Sequence, residues 1–288
     1  MTRNSDMEKS AELTGESERP IFIGGLMKSG TTLLRALLGQ HPRLYASFET
    51  HWFEEAIRDG WQHPDSKRMG LLLSLLNINE REYSEICEEK RRRPNREFID
   101  VVMQFCTERE GKARWVEKTP DNIRYWSLIR EIWKEPTLIH VTREYKDIYA
   151  SWKVRRGDSL ETFLAAAKRA YDDIRPLMGR ESPGYFEIDY LDLVRNTEDT
   201  MRRVLKILGE EWTASCATLD VEHGRQERTK FKELMGRESW TFVSLSKPIF
   251  EDSIGQWREH VSSDEAARIE SELAELYDVY GHNWQSNA

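Results

Sequence analysis

The chain is short of cysteine, has no excess of positive charge and contains no long apolar run, and each shortage removes a class of function. Cys87, Cys106 and Cys216 are the three cysteines in 288 residues. They are widely spaced and no two form a CxxC pair, so neither a zinc site nor a disulfide framework is indicated. The simplest reading is reduced thiols in a cytoplasmic protein. Acidic side chains number 51 against 43 basic ones, a formal net charge of −8. A general nucleic-acid binder needs a dense cationic footprint, which this balance does not supply, although a local basic pocket stays open. The longest apolar stretch, residues 69–78 (MGLLLSLLNI), is too short to span a bilayer. Residues 1–19 carry no apolar h-region, so they read as a disordered polar lead-in and as neither signal peptide nor anchor. Internal repeats and low-complexity blocks are missing too.

What remains is a globular composition, 39% apolar and 33% charged, long enough for a large core. Residues 20–288 are expected to form one domain. Four short apolar runs read as buried strands: 21–25 (IFIGG), 113–117 (ARWVE), 137–142 (TLIHVT) and 184–188 (GYFEI). Helical periodicity follows each of them. Leu33, Leu34, Leu37 and Leu38 follow the first, and Tyr145, Ile148, Tyr149 and Trp152 the third. Met201, Val204, Leu205 and Leu208 follow the fourth and stop at Gly209, a suitable C-terminal cap. A last helix carries Ile269, Leu273, Leu276 and Tyr280 and is expected to stop at Gly281. The fold class is therefore α/β, a parallel sheet flanked by helices. Residues 50–110 break the rhythm and read as a helical insertion that walls a substrate site. The run Glu88-Glu89-Lys90-Arg91-Arg92-Arg93 reads as a solvated helix end. Residues 210–255 look irregular and are expected to be mobile.

The strongest local signal is residues 21–34, IFIGGLMKSGTTLL. A buried strand runs through a glycine-containing loop into a helix. Such a loop turns backbone N–H groups inward, and the helix N-terminus adds partial positive charge. Lys28 adds a cation. Ser29, Gly30, Thr31 and Thr32 add hydroxyl and amide donors. The set suits an oxyanion. It is not a Walker A loop, in which lysine directly follows the last glycine, because Lys28 precedes Gly30 by two residues. The third strand ends in Thr142-Arg143, a cation where a magnesium-dependent NTPase needs an aspartate. A donor anion held without metal fits better.

These motifs resemble those of sulfotransferases that use 3′-phosphoadenosine 5′-phosphosulfate (PAPS), in particular a bacterial branch similar to tyrosylprotein sulfotransferases. KSGTTLL at 28–34 is similar to the family's 5′-phosphosulfate loop, and TREYKDIYASW at 142–152 to its 3′-phosphate motif. WVEKTPDN at 115–122 resembles the EKTP segment, and SIGQWR at 253–258 the C-terminal IGxW(R/K) segment. The motifs appear in the family's order. Glu144-Tyr145 departs from the usual Asp-Pro at a position that caps a helix.

The resemblance implies a P-loop-like parallel sheet and a sulfuryl transfer from PAPS to a hydroxyl acceptor, releasing adenosine 3′,5′-bisphosphate. It implies that Arg143 and Ser151 hold the 3′-phosphate, and that Lys28 and Lys118 bear on the phosphosulfate. Glu49 would be the base that takes the acceptor proton, with His51 as the alternative. Tyr190 would lie near the nucleotide. Lys247, with Ser246, could close over the phosphates, and Trp257 and Arg258 would stand behind. Each has a plainer alternative: a surface ion pair for Arg143, a helix–sheet contact for Ser151, solvent exposure for Lys118, capping for Glu49, core packing for Tyr190. Trp52 and Trp61 are core residues by default, with stacking on an acceptor as the other option. His140 reads as a satisfied core histidine. No metal, nucleic acid or membrane is expected. The acceptor (sugar, tyrosine, lipid head group or small metabolite) and the oligomeric state, a homodimer included, are not legible. A kinase-like phosphotransferase and a non-catalytic nucleotide sensor are the rival readings.

Overall fold

The computed structural model describes residues 19–54 and 67–285. The expected lead-in and Trp61 therefore lie largely outside the described residues. Five parallel strands form one sheet: β1 (Ile21–Gly24), β2 (Leu44–Ala46), β3 (Arg114–Lys118), β4 (Thr137–Thr142) and β5 (Tyr185–Asp189), in the order β2-β3-β1-β4-β5. Four of the strands are those the sequence indicates, within a residue or so at each end. The fifth, β2, is a correction to the sequence reading. It has three residues, too few for an apolar run, and exists through pairing of Leu44, Tyr45 and Ala46 with Arg114, Trp115 and Val116.

The central strand alternates between two cores, as period-two side chains must. Phe22 joins the core formed with Trp115, Leu138 and Tyr185, while Ile21 and Ile23 join the one with Val116, Ile139 and Phe186. Helices α1 (Thr31–Gly39) and α9 (Thr197–Leu208) cover the second face through Leu34, Leu37, Leu38, Met201, Val204 and Leu208. Helices α6 (Tyr145–Arg156) and α7 (Leu160–Ala170) cover the first. Gly209 ends α9 with φ 74°, as expected. Between β2 and β3 lie α2 (Lys67–Leu75), α3 (Glu80–Arg92) and α4 (Phe98–Arg109), which close around a small core of Leu72, Leu76, Ile86, Val102 and Cys106. Helices α5 (Trp126–Ile132) and α8 (Tyr190–Arg195) are short connectors.

Two further expectations are corrected. The stretch 210–255 contains α10 (Val221–Met235) and α11 (Trp240–Leu245). The polar sequence of α10 hid its periodicity, and Gly224 within it allows a close approach: a Cβ there would stand 2.1 Å from the Leu245 carbonyl oxygen. The C-terminal segment, beyond α12 (Trp257–His260), is two helices, α13 (Ser263–Glu272) and α14 (Ala274–Gln285), broken at Leu273, and Gly281 lies inside the second. A capping box between Ser262 and Glu265 starts α13.

All five strands end at the same edge of the sheet. The candidate residues Lys28, Glu49, Lys118, Arg143 and Tyr190 stand at or just after those five carboxyl ends, where open parallel sheets place their ligands.

Candidate active site

The loop from β1 to α1 curls tightly. Lys28 and Gly30 have φ of 79° and 110°, and the Ser29 amide donates to the Leu26 carbonyl at 2.9 Å. A Cβ at Gly30 would meet the Tyr190 ring at 2.3 Å, so only glycine permits this contact. The Gly25 amide donates to the Pro120 carbonyl at 2.9 Å, which ties the loop to the segment after β3. The Leu33 and Leu34 amides donate to the Gly30 carbonyl at 3.0 and 3.3 Å, and the start of such a helix, with its first amides ahead of the intrahelical ladder, suits an anion.

A cavity opens over this loop. Its wall carries Lys28, Gly30, Thr31 and Thr32 from the loop, Glu49, Arg143, Ser151 and Arg155, and Tyr190. Leu245, Pro248, Ile249 and Phe250 supply an apolar side. Arg143 is buried. Its Nη1 donates to the Lys28 carbonyl at 2.9 Å, and its guanidinium lies 4.5 Å from the Tyr190 ring centre. The Tyr190 hydroxyl shares a 2.7 Å hydrogen bond with Ser253. Sequence reasoning missed Arg155. It stands one helical turn after Ser151 on α6, and that i+4 spacing was the signal available.

This wall is cationic under strain. Burial, and then Arg155, hold the Lys28 ammonium down at about 8, against the pull of Glu49. Burial, and then Arg143, lower Arg155. Meanwhile the Arg143 Nε and the Ser151 hydroxyl, both buried, have no hydrogen-bond partner among the described residues. Crowded cations and orphaned buried donors on one wall are complementary to a polyanion.

A second cavity, of about 850 Å³, lies on the other side of Lys28, Thr32 and Glu49, which line both. Lys118 and His51 line the second. At the junction the Lys118 ammonium donates to Glu49 Oε1 and, at 3.0 Å, to Thr32 Oγ1. His51 Nε2 lies 3.1 Å from Glu49 Oε2. Burial disfavours the charged Glu49 carboxylate, but Lys118 and His51 outweigh it and hold the carboxyl well below its usual range. Burial lowers Lys118, and Glu49 opposes that.

The Glu49 segment is fixed from behind by Glu117 of β3, which is 1% exposed. Its Oε1 accepts from the Thr50 amide at 3.1 Å, the Thr50 hydroxyl at 2.9 Å and the Thr119 hydroxyl at 2.7 Å. Its Oε2 accepts from Asn122 at 2.6 Å. Thr119 Oγ1 in turn accepts from the His51 amide at 3.1 Å. This hub holds His51 at φ 50°, a left-handed conformation that costs about 1–3 kcal/mol in a non-glycine residue. Sequence reasoning missed Glu117 as well, because its role exists only in the tertiary structure.

Other expected residues lie elsewhere. The Ser29 hydroxyl is buried under the loop near Gly25 and is not in the cavity wall. Lys247 is exposed and outside both linings, although its neighbours Leu245 and Pro248 line the first cavity. Ser246 donates to the Val243 carbonyl at 2.8 Å. Trp257 and Arg258 line a separate hollow behind Arg143 and Tyr190, with the Lys146 ammonium 4.3 Å from the Trp257 ring centre. Trp52 is core, stacked on Phe98 at 6.0 Å. His140 is fully buried and bonded to the Tyr185 hydroxyl at 2.9 Å. The described residues contain no group of three or more His, Cys, Asp or Glu that could hold a metal ion.

Comparison with known proteins gives the family and the fold. A sequence model described as "Sulfotransferase family" matches residues 20–214, well over half the chain. An uncharacterised protein of Aquifex aeolicus is 24% identical over 257 residues, covering 85% of this chain and 31% of that protein. Protein-tyrosine sulfotransferase 2 of Gallus gallus is 24% identical over 294 residues, covering 91% of this chain and 70% of that one. The chain thus spans about a third of the first relative's length. Among solved structures, the sulfotransferase domain of the Synechococcus PCC 7002 olefin synthase superposes with a TM-score of 0.59 at 19% identity, covering 89% of this chain and 94% of that one. At that identity the likeness shows the fold.

Proposed function

The chain belongs to the sulfotransferase family, and on that premise we propose that it transfers the sulfuryl group of PAPS to an acceptor hydroxyl. One observation carries the reading: a cationic cavity and an acceptor-sized cavity meet at Lys28, Thr32 and Glu49, with Lys118 at the junction. The first cavity takes the adenosine donor. Arg143, Ser151 and Arg155 hold the 3′-phosphate, and Tyr190 flanks the nucleotide. Lys28 and the α1 amides hold the 5′-phosphosulfate. Lys247 and Trp257 stand outside that wall and are at most accessory to it. The inserted helices 67–109 give the acceptor side, because Leu71, Leu72 and Leu75 of α2 line the second cavity.

The acceptor oxygen attacks sulfur in line. A new S–O bond forms as the bond from sulfur to the bridging oxygen breaks. The bridging oxygen keeps the electron pair and leaves as adenosine 3′,5′-bisphosphate. Glu49 receives the acceptor proton. As Lys118 turns towards the departing oxygen it releases Glu49, whose basicity rises when it is needed. Positioning and charge supply most of the rate. His51, in contact with Glu49, orients that carboxylate. The free thiols of Cys87, Cys106 and Cys216 suit a reducing compartment such as the cytoplasm.

Lys28 ahead of Gly30, and Arg143 at the end of β4, favour this reading over a magnesium-dependent kinase. The Glu49–Lys118 pair favours it over a passive sensor. The test is transfer of labelled sulfate from PAPS to a panel of hydroxyl compounds. Transfer without added metal is expected. Magnesium-dependent ATP turnover with no sulfate transfer would overturn the proposal.

A further inference from the structure

We infer that the acceptor is an amphiphilic alcohol, with an apolar body that fills the second cavity and a negatively charged group at its outer end. The inference rests on the proposed transfer and concerns what receives the sulfuryl group. The cavity volume, about 850 Å³, lies within the range of small-molecule sites, roughly 300–1,000 Å³. Beyond the polar junction Phe48, Leu72, Leu75, Phe231, Met235 and Phe242 give its wall a large apolar share, beside Arg35, Arg156, Arg237 and Ser239. The phenylalanines pack on one another, with Phe231 and Phe242 ring centres 4.9 Å apart and Phe48 and Phe242 5.7 Å apart. Phe48, Phe231 and Met235 nevertheless keep part of their surface open. Concentrated apolar surface facing a water-filled cavity is unfavourable until something apolar covers it.

A sugar does not match that wall. Its hydroxyls need polar partners along their whole length, and burial without them is costly. In this cavity the polar side chains away from the Glu49–Lys118 junction are Arg35, Arg156, Arg237 and Ser239, and the first two are engaged by Glu227 and Asp158.

Charge identifies the outer end. Arg35 is matched by Glu227 and Lys118 by Glu49, and Arg156 lies 2.6 Å from Asp158. Arg237 also lines the cavity, is exposed at its mouth, and has no carboxylate partner among the described residues. An anionic group on the acceptor would meet this cation as the hydroxyl reaches Glu49.

The test uses the full chain loaded with adenosine 3′,5′-bisphosphate, titrated calorimetrically with 10-hydroxydecanoate, 1,10-decanediol, glucose and a tyrosine peptide with acidic neighbours. The hydroxy acid should bind about tenfold more tightly than the diol, glucose should give no heat, and labelled sulfate from PAPS should move to the hydroxy acid. Arg237→Gln should erase the advantage of the acid over the diol, and Phe231→Asp should weaken both. Preference for glucose or for the peptide would overturn the inference. So would an acid-over-diol advantage that survives in Arg237→Gln. A chain that binds the bisphosphate but neither amphiphile sinks this inference alone, whereas a chain that does not bind the bisphosphate sinks the transfer reading beneath it.

Discussion

Lys118 and Glu49 are hydrogen-bonded across the junction of the two cavities, at the carboxyl end of β3 and just after β2. An ammonium on a carboxylate leaves the base too weak to act at rest, since a catalytic base works best with its pKa near the working pH. Under the proposed transfer the pair is a held state that donor binding undoes, and both partners are expected to be needed for turnover.

Glu49→Gln removes the proton acceptor while leaving the phosphate-binding residues in place. Turnover should fall about 100- to 10,000-fold with affinity for adenosine 3′,5′-bisphosphate nearly unchanged, read by initial rates and calorimetry on the same preparation. Lost nucleotide affinity with a normal residual rate would remove Glu49 from the base role.

Lys28 gives donor binding a pH dependence of defined sign. Its ammonium is held down at about 8 by burial and by Arg155. A bound phosphate favours the charged form, so affinity is full below about 8 and is lost as pH rises above it. Between about pH 7 and about pH 9 the affinity for the bisphosphate should fall roughly tenfold. In Lys28→Gln the affinity should be lower at the start and flat over that interval. A slope that persists in the variant would assign it to another group.

Glu117→Gln exchanges an acceptor-only hub for one that must donate. The new amide nitrogen must face either the Asn122 donor or the three donors of Thr50 and Thr119, so the hub loses a bond in either orientation and the Glu49 segment loses part of its backing. kcat should fall by about 100-fold, the effect of a small misplacement at the reacting centre. Bisphosphate affinity should be unchanged, because no donor-cavity residue hydrogen-bonds Glu117. Full kcat in this variant would show that the hub only stabilises the fold.

Arg35 of α1 and Glu227 of α10 form a buried two-point ion pair, with bonds of 2.7 and 2.6 Å. Removing one partner strands the other charge, so Glu227→Leu should cost about 3–5 kcal/mol of stability, and Arg35→Met with Glu227→Leu should recover most of it. Burial raises the Glu227 carboxyl, but Arg35 overrides it and the net shift is downward. Its contribution is therefore present above the ordinary carboxylate range and is lost as pH falls below it. Thermal melts of the single and double variants read both effects.

The residues legible in the sequence are those whose role is local. The loop 25–32 announces itself because strand, glycines, lysine and helix start are contiguous. Arg143 and Ser151 entered through the motif resemblance, and one strand end and one helix bring both to the wall of the first cavity. Arg155 was within reach by the same helical arithmetic. Glu117 was not, since a carboxylate inside a strand declares nothing until Thr50, Thr119 and Asn122 converge on it. Strand β2 and helix α10 escaped for opposite reasons: one is too short to show a period, the other too polar. Lys247 and Trp257 show the limit of motif proximity, because a residue next to a site in sequence can still face the solvent or the next hollow.

The central claim is that one cationic cavity grips both phosphorylated ends of an adenosine donor. Calorimetric titration with adenosine 3′,5′-bisphosphate and with 5′-AMP, on the intact chain and on Arg143→Ala, tests it most directly. The bisphosphate should bind at least about tenfold more tightly than 5′-AMP, and Arg143→Ala should erase that difference. Equal affinity for the two nucleotides, or no binding of the bisphosphate, would contradict it.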